Sequence, residues 1–208
     1  MLERFMPTGL RWSYSLWAPV YDWVVARPTR GSRRQSLASL GDATGLTILL
    51  DGIGTGLDLP LLPVHGRYFG LDMTPAMLRR ARRAAARSGR LISLQAGDAM
   101  RLPYRDRVFD AVVLHLILAV VPDSHAALAE AARVVKPGGR LVIFDKFLRP
   151  DEPAWLRRLI SPMLGLVATR TDVVFEELLA ACPELRVVSD EPDLAGGWFR
   201  RIVLERAD

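Results

Sequence analysis

Asp51 stands directly before three alternating glycines, Gly52, Gly54 and Gly56, in the stretch TILLDGIGTGLDLP. The apolar run from Thr47 to Leu50 reads as a buried parallel strand, and the glycines after it let the backbone bend sharply and present bare N–H groups to a ligand. A glycine turn also serves where a helix merely packs closely on a sheet, so its meaning depends on the residues downstream of it. A second acid lies there: Asp72 closes the short apolar run from Tyr68 to Leu71. An acid at the tip of the second strand of an open α/β sheet sits where a ribose can offer it two hydroxyls, because ligands bind outside the carboxyl ends of the strands. Asp98 then stands in the turn QAGDAMRLP after a third run, Leu91 to Leu94.

Positioning these acids requires helices between the strands. In MTPAMLRRARRAAARSG, Thr74 and Pro75 have the residue types of a helix N-cap and first turn. FDAVVLHLILAVVPD carries a fourth strand from Ala111 to Leu114, and ARVVKPGGRLVIFDKF joins a helix end to a fifth strand through a Pro-Gly-Gly turn. A final hairpin is expected from Arg186 to Asp190 and Trp198 to Glu205.

This ordered series, GIGTG, GLDMTPAML, GDAMRLPYRDRVFD and RVVKPGGRL, resembles the class I S-adenosylmethionine-dependent methyltransferases over about residues 45 to 147. The resemblance implies a Rossmann-like seven-stranded α/β sheet with helices on both faces. It implies S-adenosyl-L-methionine as cofactor, with the turn containing Gly52, Gly54, Thr55 and Gly56 under the methionine part and Asp72 on the ribose. Met73 would cover the adenine face, and Asp98 with Ala99 would read the adenine edge. The family places an acid two residues before the first alternating glycine, where this chain has Leu50. Because strand side chains alternate faces, Asp51 points to the opposite side unless the strand bulges. Either Asp51 reaches the cofactor through a local distortion, which is the reading adopted, or it satisfies backbone donors in the turn.

The chain has 208 residues, half of them hydrophobic, enough for one substantial core. The expected organisation is a single domain, with an aromatic, basic helical cap over 1–40, a cofactor-binding core over 45–147, and substrate-side helices and the hairpin over 148–208. No apolar run reaches the ~20 residues of a spanning helix, the N-terminus does not read as a secretory signal, and the single cysteine, Cys182, excludes an internal disulfide. A cytoplasmic protein is expected. Cys182 reads as a small buried hydrophobe near a helix end.

The net charge of +5 calls for an anionic partner, nucleic acid or membrane. Arg79, Arg80, Arg82, Arg83, Arg87 and Arg90 lie on or after one helix, where a solvated face explains them. Arg27, Arg30, Arg33 and Arg34 follow a segment rich in Trp12, Tyr14, Trp17, Tyr21 and Trp23, a composition suited to a lid over the site or to a membrane interface. The string SLWAPVYDWVV is similar to the N-terminal segment of bacterial phospholipid N-methyltransferases, and quinone C-methyltransferases carry a comparable segment ending in Tyr-Asp. PAWLRRLISPMLGLVATR, after the fifth strand, is either a core helix or an apolar flap over the substrate mouth.

Methyl transfer needs alignment and exclusion of water, with no covalent residue, and an amine acceptor must arrive uncharged. His115 is the candidate proton acceptor, although it could equally pack beside the cofactor. Tyr14 and Tyr21 are candidates to bind the amine by oxygen lone pairs and ring faces, and Lys146 and Arg170 to hold a phosphate. His65, His115 and His125 show no ligand spacing, so no metal is expected. The turn after the fourth strand lacks the Asn/Asp-Pro-Pro-aromatic signature of nucleobase amine methylation, which argues against nucleic acid. The expected activity is N-methylation of an aminophospholipid headgroup at the inner membrane surface. The alternatives are C- or O-methylation of a quinone or other small apolar molecule, and a non-catalytic cofactor-binding interaction protein.

Overall fold

The computed structural model describes residues 28–148 and 173–208. The roles expected of Tyr14, Tyr21 and Arg170, the aromatic segment and the apolar element at 153–170 lie outside the described residues. A helix, α1, covers residues 28–38. It is followed by β1 (Thr47–Asp51), a 3-10 turn (Leu59–Leu61), β2 (Arg67–Asp72), α2 (Pro75–Ser88), β3 (Ile92–Ala96), β4 (Phe109–His115), α3 (Ser124–Val134) and β5 (Val135–Lys146). The remaining elements are α4 (Phe175–Ala180), β6 (Leu185–Pro192), a single helical turn (Leu194–Gly197) and β7 (Phe199–Arg206).

The seven strands form one sheet in the order β3-β2-β1-β4-β5-β7-β6. Strands β1 to β5 run parallel, and β7 inserts antiparallel between β5 and β6. The order reverses beside β1, the switch point at which open α/β sheets bind ligands. Two expected strands are longer than their apolar runs. The ladder continues through Asp51, paired with Leu71 and Leu114, and through Asp72, paired with Ala96, so both acids end strands instead of beginning turns. The third strand starts at Ile92, which pairs with Tyr68, leaving Leu91 outside and 92% exposed. The Pro-Gly-Gly segment lies within β5: Phe109 faces Val135 but Ala111 faces Arg140, so the residues between bulge from the ladder. Gly139 permits this, since a Cβ there would lie 2.9 Å from the carbonyl oxygen of Asp110.

Alternation along the central strands builds a core on each face. Ile48, Leu50, Ala111 and Val113 pack with Leu37 and Leu40 and with Ala81, Ala84 and Ala85 of α2. Leu49, Val112 and Leu114 pack on the other face with Leu128 and Ala131 of α3 and Phe175 and Leu178 of α4. Cys182 is buried in that second layer, just beyond α4. Small residues line α2 because it sits directly against the glycine turn. A Cβ on Gly56 would come within 3.1 Å of the Ala81 Cα, and its φ of +84° is one that glycine adopts without strain.

A buried polar cluster fastens α1 to this frame. Arg33 donates from Nη1 to Asp58 Oδ1 at 2.9 Å and from Nε to Thr29 Oγ1 at 3.1 Å. His115, at the end of β4, places Nδ1 3.1 Å from the same Asp58 oxygen and Nε2 3.0 Å from Ser36 Oγ. Burial opposes the charge on Asp58, but His115 and Arg33 outweigh it and hold the carboxyl well below its ordinary range. Arg33 therefore does not join Arg30 and Arg34 on the surface, because its charge is consumed internally. Asp58→Ala should lower the unfolding free energy by about 3–5 kcal/mol, because Arg33 would remain buried without a counter-charge. Urea titration checks this, with exposed Arg34→Ala expected to stay within about 0.5 kcal/mol of the parent.

Candidate active site

The ends of β1, β2 and β4 and the turn after β3 converge on the glycine turn. Gly52, Gly54 and Gly56 have φ of +70°, +55° and +84°, the left-handed region in which other residues are strained. Around Gly54 the space is open, since a Cβ would meet only the carbonyl oxygen of Gly52 at 3.9 Å. Thr55, by contrast, lines the outer side of the turn beside Leu57 and α2.

Asp72 braces the turn from the neighbouring strand. Its Oδ2 accepts from Gly54 N–H at 2.9 Å and its Oδ1 from Thr74 N–H at 2.7 Å. Thr74 occupies the N-cap position of α2, as its type suggests, but its side chain does not cap the helix. Burial raises the pKa of Asp72, while the donors of Thr74 and Gly54 pull it back. Each carboxylate oxygen has lone-pair capacity beyond these bonds, so Asp72 can accept from sugar hydroxyls without releasing the turn. Asp98 folds its own turn, accepting Met100 N–H on Oδ1 at 2.9 Å, and the next residue, Ala99, is buried. Met73 stands exposed at the rim.

Asp51 departs from both routes open to it from the sequence. Strand β1 is regular to its end, so no bulge carries the carboxylate to the side of Leu50. It follows Leu49 to the α3 face, where it is 1% exposed and neither oxygen has a hydrogen-bond partner. The Gly52 N–H pulls weakly on it without forming a sound hydrogen bond. Burial pushes Asp51 up to about 7, and the charges of Asp72 and Asp98 act in the same direction. The Tyr104 hydroxyl is a second buried group without a partner, raised by burial and then by Asp51. Orphaned polar atoms are rare in protein interiors and call for an explanation.

Residues not singled out by type or spacing complete the site. Leu116 turns the chain after β4 with φ +58°, an uncommon conformation for a non-glycine residue, and Ile117 then lies over Gly52. Asp145, near the end of β5, pins that loop through its Oδ2, which accepts Ala119 N–H at 3.1 Å; burial pushes this acid up to about 6. Lys146 follows it, partly buried, and burial lowers its pKa against the opposing charge of Asp145. His115 lies on the face opposite Asp51, within the α1 cluster. Asp58, held ionised, can only accept a hydrogen bond, so Nδ1 carries a proton and Nε2 faces Ser36. Protonation of Nε2 would reverse this contact, with the Ser36 hydroxyl oxygen accepting in place of donating. Little in the sequence marks Asp58, Asp145 or Ser36; only Asp58, six residues past the first glycine, was close to a motif.

The donor set fits S-adenosylmethionine. The turn leaves open space at Gly54, Asp72 at a strand end and Asp98 in the turn after β3 present acceptors, and Asp51 supplies a buried carboxyl with no hydrogen-bond partner among the described residues. Among the described residues no group of His, Cys, Asp and Glu is arranged to hold a metal ion.

Comparison with known proteins gives the same architecture. Residues 50–143 match a family model described as a methyltransferase domain. The chain is 32% identical over 197 residues to a phosphatidylethanolamine N-methyltransferase of Cereibacter sphaeroides, an alignment covering 93% of this chain and 96% of that protein. It is 36% identical over 177 residues to a demethylmenaquinone methyltransferase of Mycolicibacterium paratuberculosis, covering 80% and 73% respectively. A chain from the complex of the Haloferax volcanii Trm112 methyltransferase activator with a methyltransferase superposes with a TM-score of 0.77 at 21% identity, covering 95% of this chain and 97% of that one. At that identity the last likeness concerns the fold alone.

An acid whose pKa is raised by folding holds its proton in the native state across the interval between its two values. Its contribution to stability is complete below the ordinary carboxylate range and disappears as pH rises through the folded value. Unfolding free energy should therefore decline between about pH 4 and 7, with Asp145 adding to the slope. Asp51→Asn should remove on the order of 4 kcal/mol of this decline. Denaturant titrations at a series of pH values measure it, and an unchanged slope in Asp51→Asn would contradict the assignment.

Proposed function

The chain belongs to the class I S-adenosylmethionine-dependent methyltransferases, and on that premise we propose that it N-methylates an aminophospholipid headgroup, phosphatidylethanolamine-like, at a membrane surface. The observation that carries this reading is the extent of the similarity to the phosphatidylethanolamine N-methyltransferase, 93% of one chain against 96% of the other. The quinone methyltransferase matches over 73% of its own length at slightly higher identity, which keeps methylation of a quinone ring carbon as the second reading.

When bound, S-adenosylmethionine supplies a sulfonium methyl group already activated for in-line displacement, so the chain's task is alignment and exclusion of water. In our reading Asp72 holds the ribose hydroxyls, Met73 covers the adenine and Asp98 with Ala99 reads its edge. The exposure of Met73 and the spare acceptor capacity of Asp72 support these roles. Gly52, Gly54, Thr55 and Gly56 carry the amino-acid end. Lys146, at the end of β5 with its charge form disfavoured by burial, is assigned to the headgroup phosphate, where an anion would restore that charge. We assign His115 to holding α1 in place. Tyr14, Tyr21 and Arg170 keep the acceptor-side roles that their sequence context suggests.

For the membrane, no helix among the described residues is long and apolar enough to cross a bilayer. We favour contact through the basic face. Helix α2 carries Arg79, Arg80, Arg82, Arg83 and Arg87 and no acid, so like charges recur at i, i+3 and i+4 and repel one another. Arg80, Arg83 and Arg87 border a groove of about 460 Å³ with Leu57 and Pro60, and exposed Arg30 borders an adjoining one. An anionic lipid surface relieves that repulsion.

Asp72→Ala should weaken S-adenosylmethionine binding by roughly 10- to 100-fold, read by calorimetry, with some loss of stability because Gly54 and Thr74 lose their acceptor; unchanged affinity would remove the ribose assignment. Labelled methyl transfer into a total lipid extract should label the aminophospholipid fraction, whereas label in the quinone fraction would select the second reading. Co-sedimentation with anionic vesicles should be salt-sensitive, and Arg83→Gln with Arg87→Gln should weaken it by about 30-fold, at ~1 kcal/mol per basic residue. Protein left in the supernatant at low salt would defeat the membrane reading.

A further inference from the structure

We propose that Asp51 is the counter-charge for the positively charged part of the methyl donor, and that it is protonated in the free protein and expels its proton when the donor binds. The inference rests on the reading of this site as the S-adenosylmethionine site.

Geometry carries it. Asp51 ends β1, bonded to both neighbouring strands, so its carboxyl is fixed on the α3 face directly before the glycine turn. It is almost completely buried and lacks a hydrogen-bond partner among the described residues, whereas the acids that act on it are engaged. Asp72 is bonded to Gly54 and Thr74, Asp98 to Met100, and Glu130 of α3 to Leu102 and Arg133. Tyr104 also faces Asp51, and its hydroxyl has no hydrogen-bond partner among the described residues. Among the described residues, the charges that act most strongly on Asp51 are acidic: Asp72, Asp98 and Glu130 all disfavour its ionised form. An ionised carboxylate here would be unpaired in a low-dielectric interior, and the neutral acid is the form that the surroundings tolerate, with burial pushing the group up to about 7.

S-adenosylmethionine brings two positive centres, its ammonium and its sulfonium. Either, placed against Asp51, reverses the local balance: the carboxyl ionises, the O–H bond breaks heterolytically, and the proton leaves to bulk buffer. A hydrophobic residue at this position would bind the same donor with no proton exchanged.

Calorimetric titration of the full chain with S-adenosylmethionine, in buffers of differing ionisation enthalpy, counts the protons. At pH 6 the α-amino group of the donor is already protonated, its ordinary pKa being about 7.7–8.0, so release reports the protein. The expected count is about 0.9 proton released per bound molecule at pH 6, falling to about half near pH 7. In Asp51→Asn, which removes the acid at constant shape, release should vanish. S-adenosylhomocysteine keeps the ammonium and lacks the sulfonium: equal release assigns the contact to the ammonium, and release with S-adenosylmethionine alone assigns it to the sulfonium. Binding without proton release in the wild type, or undiminished release in Asp51→Asn, overturns the proposal while leaving the cofactor reading standing. Absence of binding to either compound overturns both. Should Asp51→Asn fail to fold, Asp51→Leu replaces it as the variant without an acid, and undiminished release there overturns the proposal in the same way.

Discussion

Strand β1 is hydrogen-bonded on both sides, to β2 and to β4, and the chain leaving its carboxyl end must turn within the width of one strand. Three glycines with positive φ make that turn, and the side chains of its neighbours then have to complete it. Asp72 does so from β2 by accepting the Gly54 N–H, and Ile117 does so from the loop after β4 by covering Gly52. Helix α2 closes the outer side, close enough that Gly56 has no room for a side chain. The acids, the loop and the helix are thus placed relative to one turn, and their arrangement derives from the pairing of one central strand.

Carboxylates at this end of the sheet receive two opposite treatments. Asp58 is buried against Arg33 and His115 and stays ionised, contributing its charge to the attachment of α1. Asp51 and Asp145 are buried without comparable cations, and their neutral forms are favoured. The two groups of acids lie on different faces: Asp58 is tied to His115 on the α1 side, and Asp51 follows Leu49 toward α3. Stability is consequently pulled in different directions by pH on the two faces, with the α1 attachment needing an ionised acid and the α3 side tolerating a protonated one.

Helix α1 follows the aromatic N-terminal residues in sequence, and its position against β4 is set by contacts of His115 and Asp58 with Ser36 and Arg33. A residue that reads as a catalytic base from its place after the fourth strand is thus also bonded into the attachment of a helix. The same cluster consumes Arg33, one of the arginines that composition alone assigns to an anionic surface, and leaves α2 as the densest run of arginines among the described residues.

Local chemistry determined much of this protein from the sequence alone. The alternation of apolar runs with helix-length segments specified the parallel sheet, the glycines specified the turn, and the residue types at strand ends marked Asp72 and Asp98, because each of these features is satisfied within a few residues of chain. Strand ends were displaced by a residue or more, as at Asp51 and Ile92, because a ladder ends where its partner ends and not where hydrophobicity does. The fate of Asp51 needed the tertiary structure: its face is set by the unbulged register of β1, and its protonation by acids from β2, the turn after β3 and α3. Asp58, Ser36 and Arg33 were equally illegible, since their partners are 25 to 79 positions away in sequence and only folding brings such charges into one buried contact.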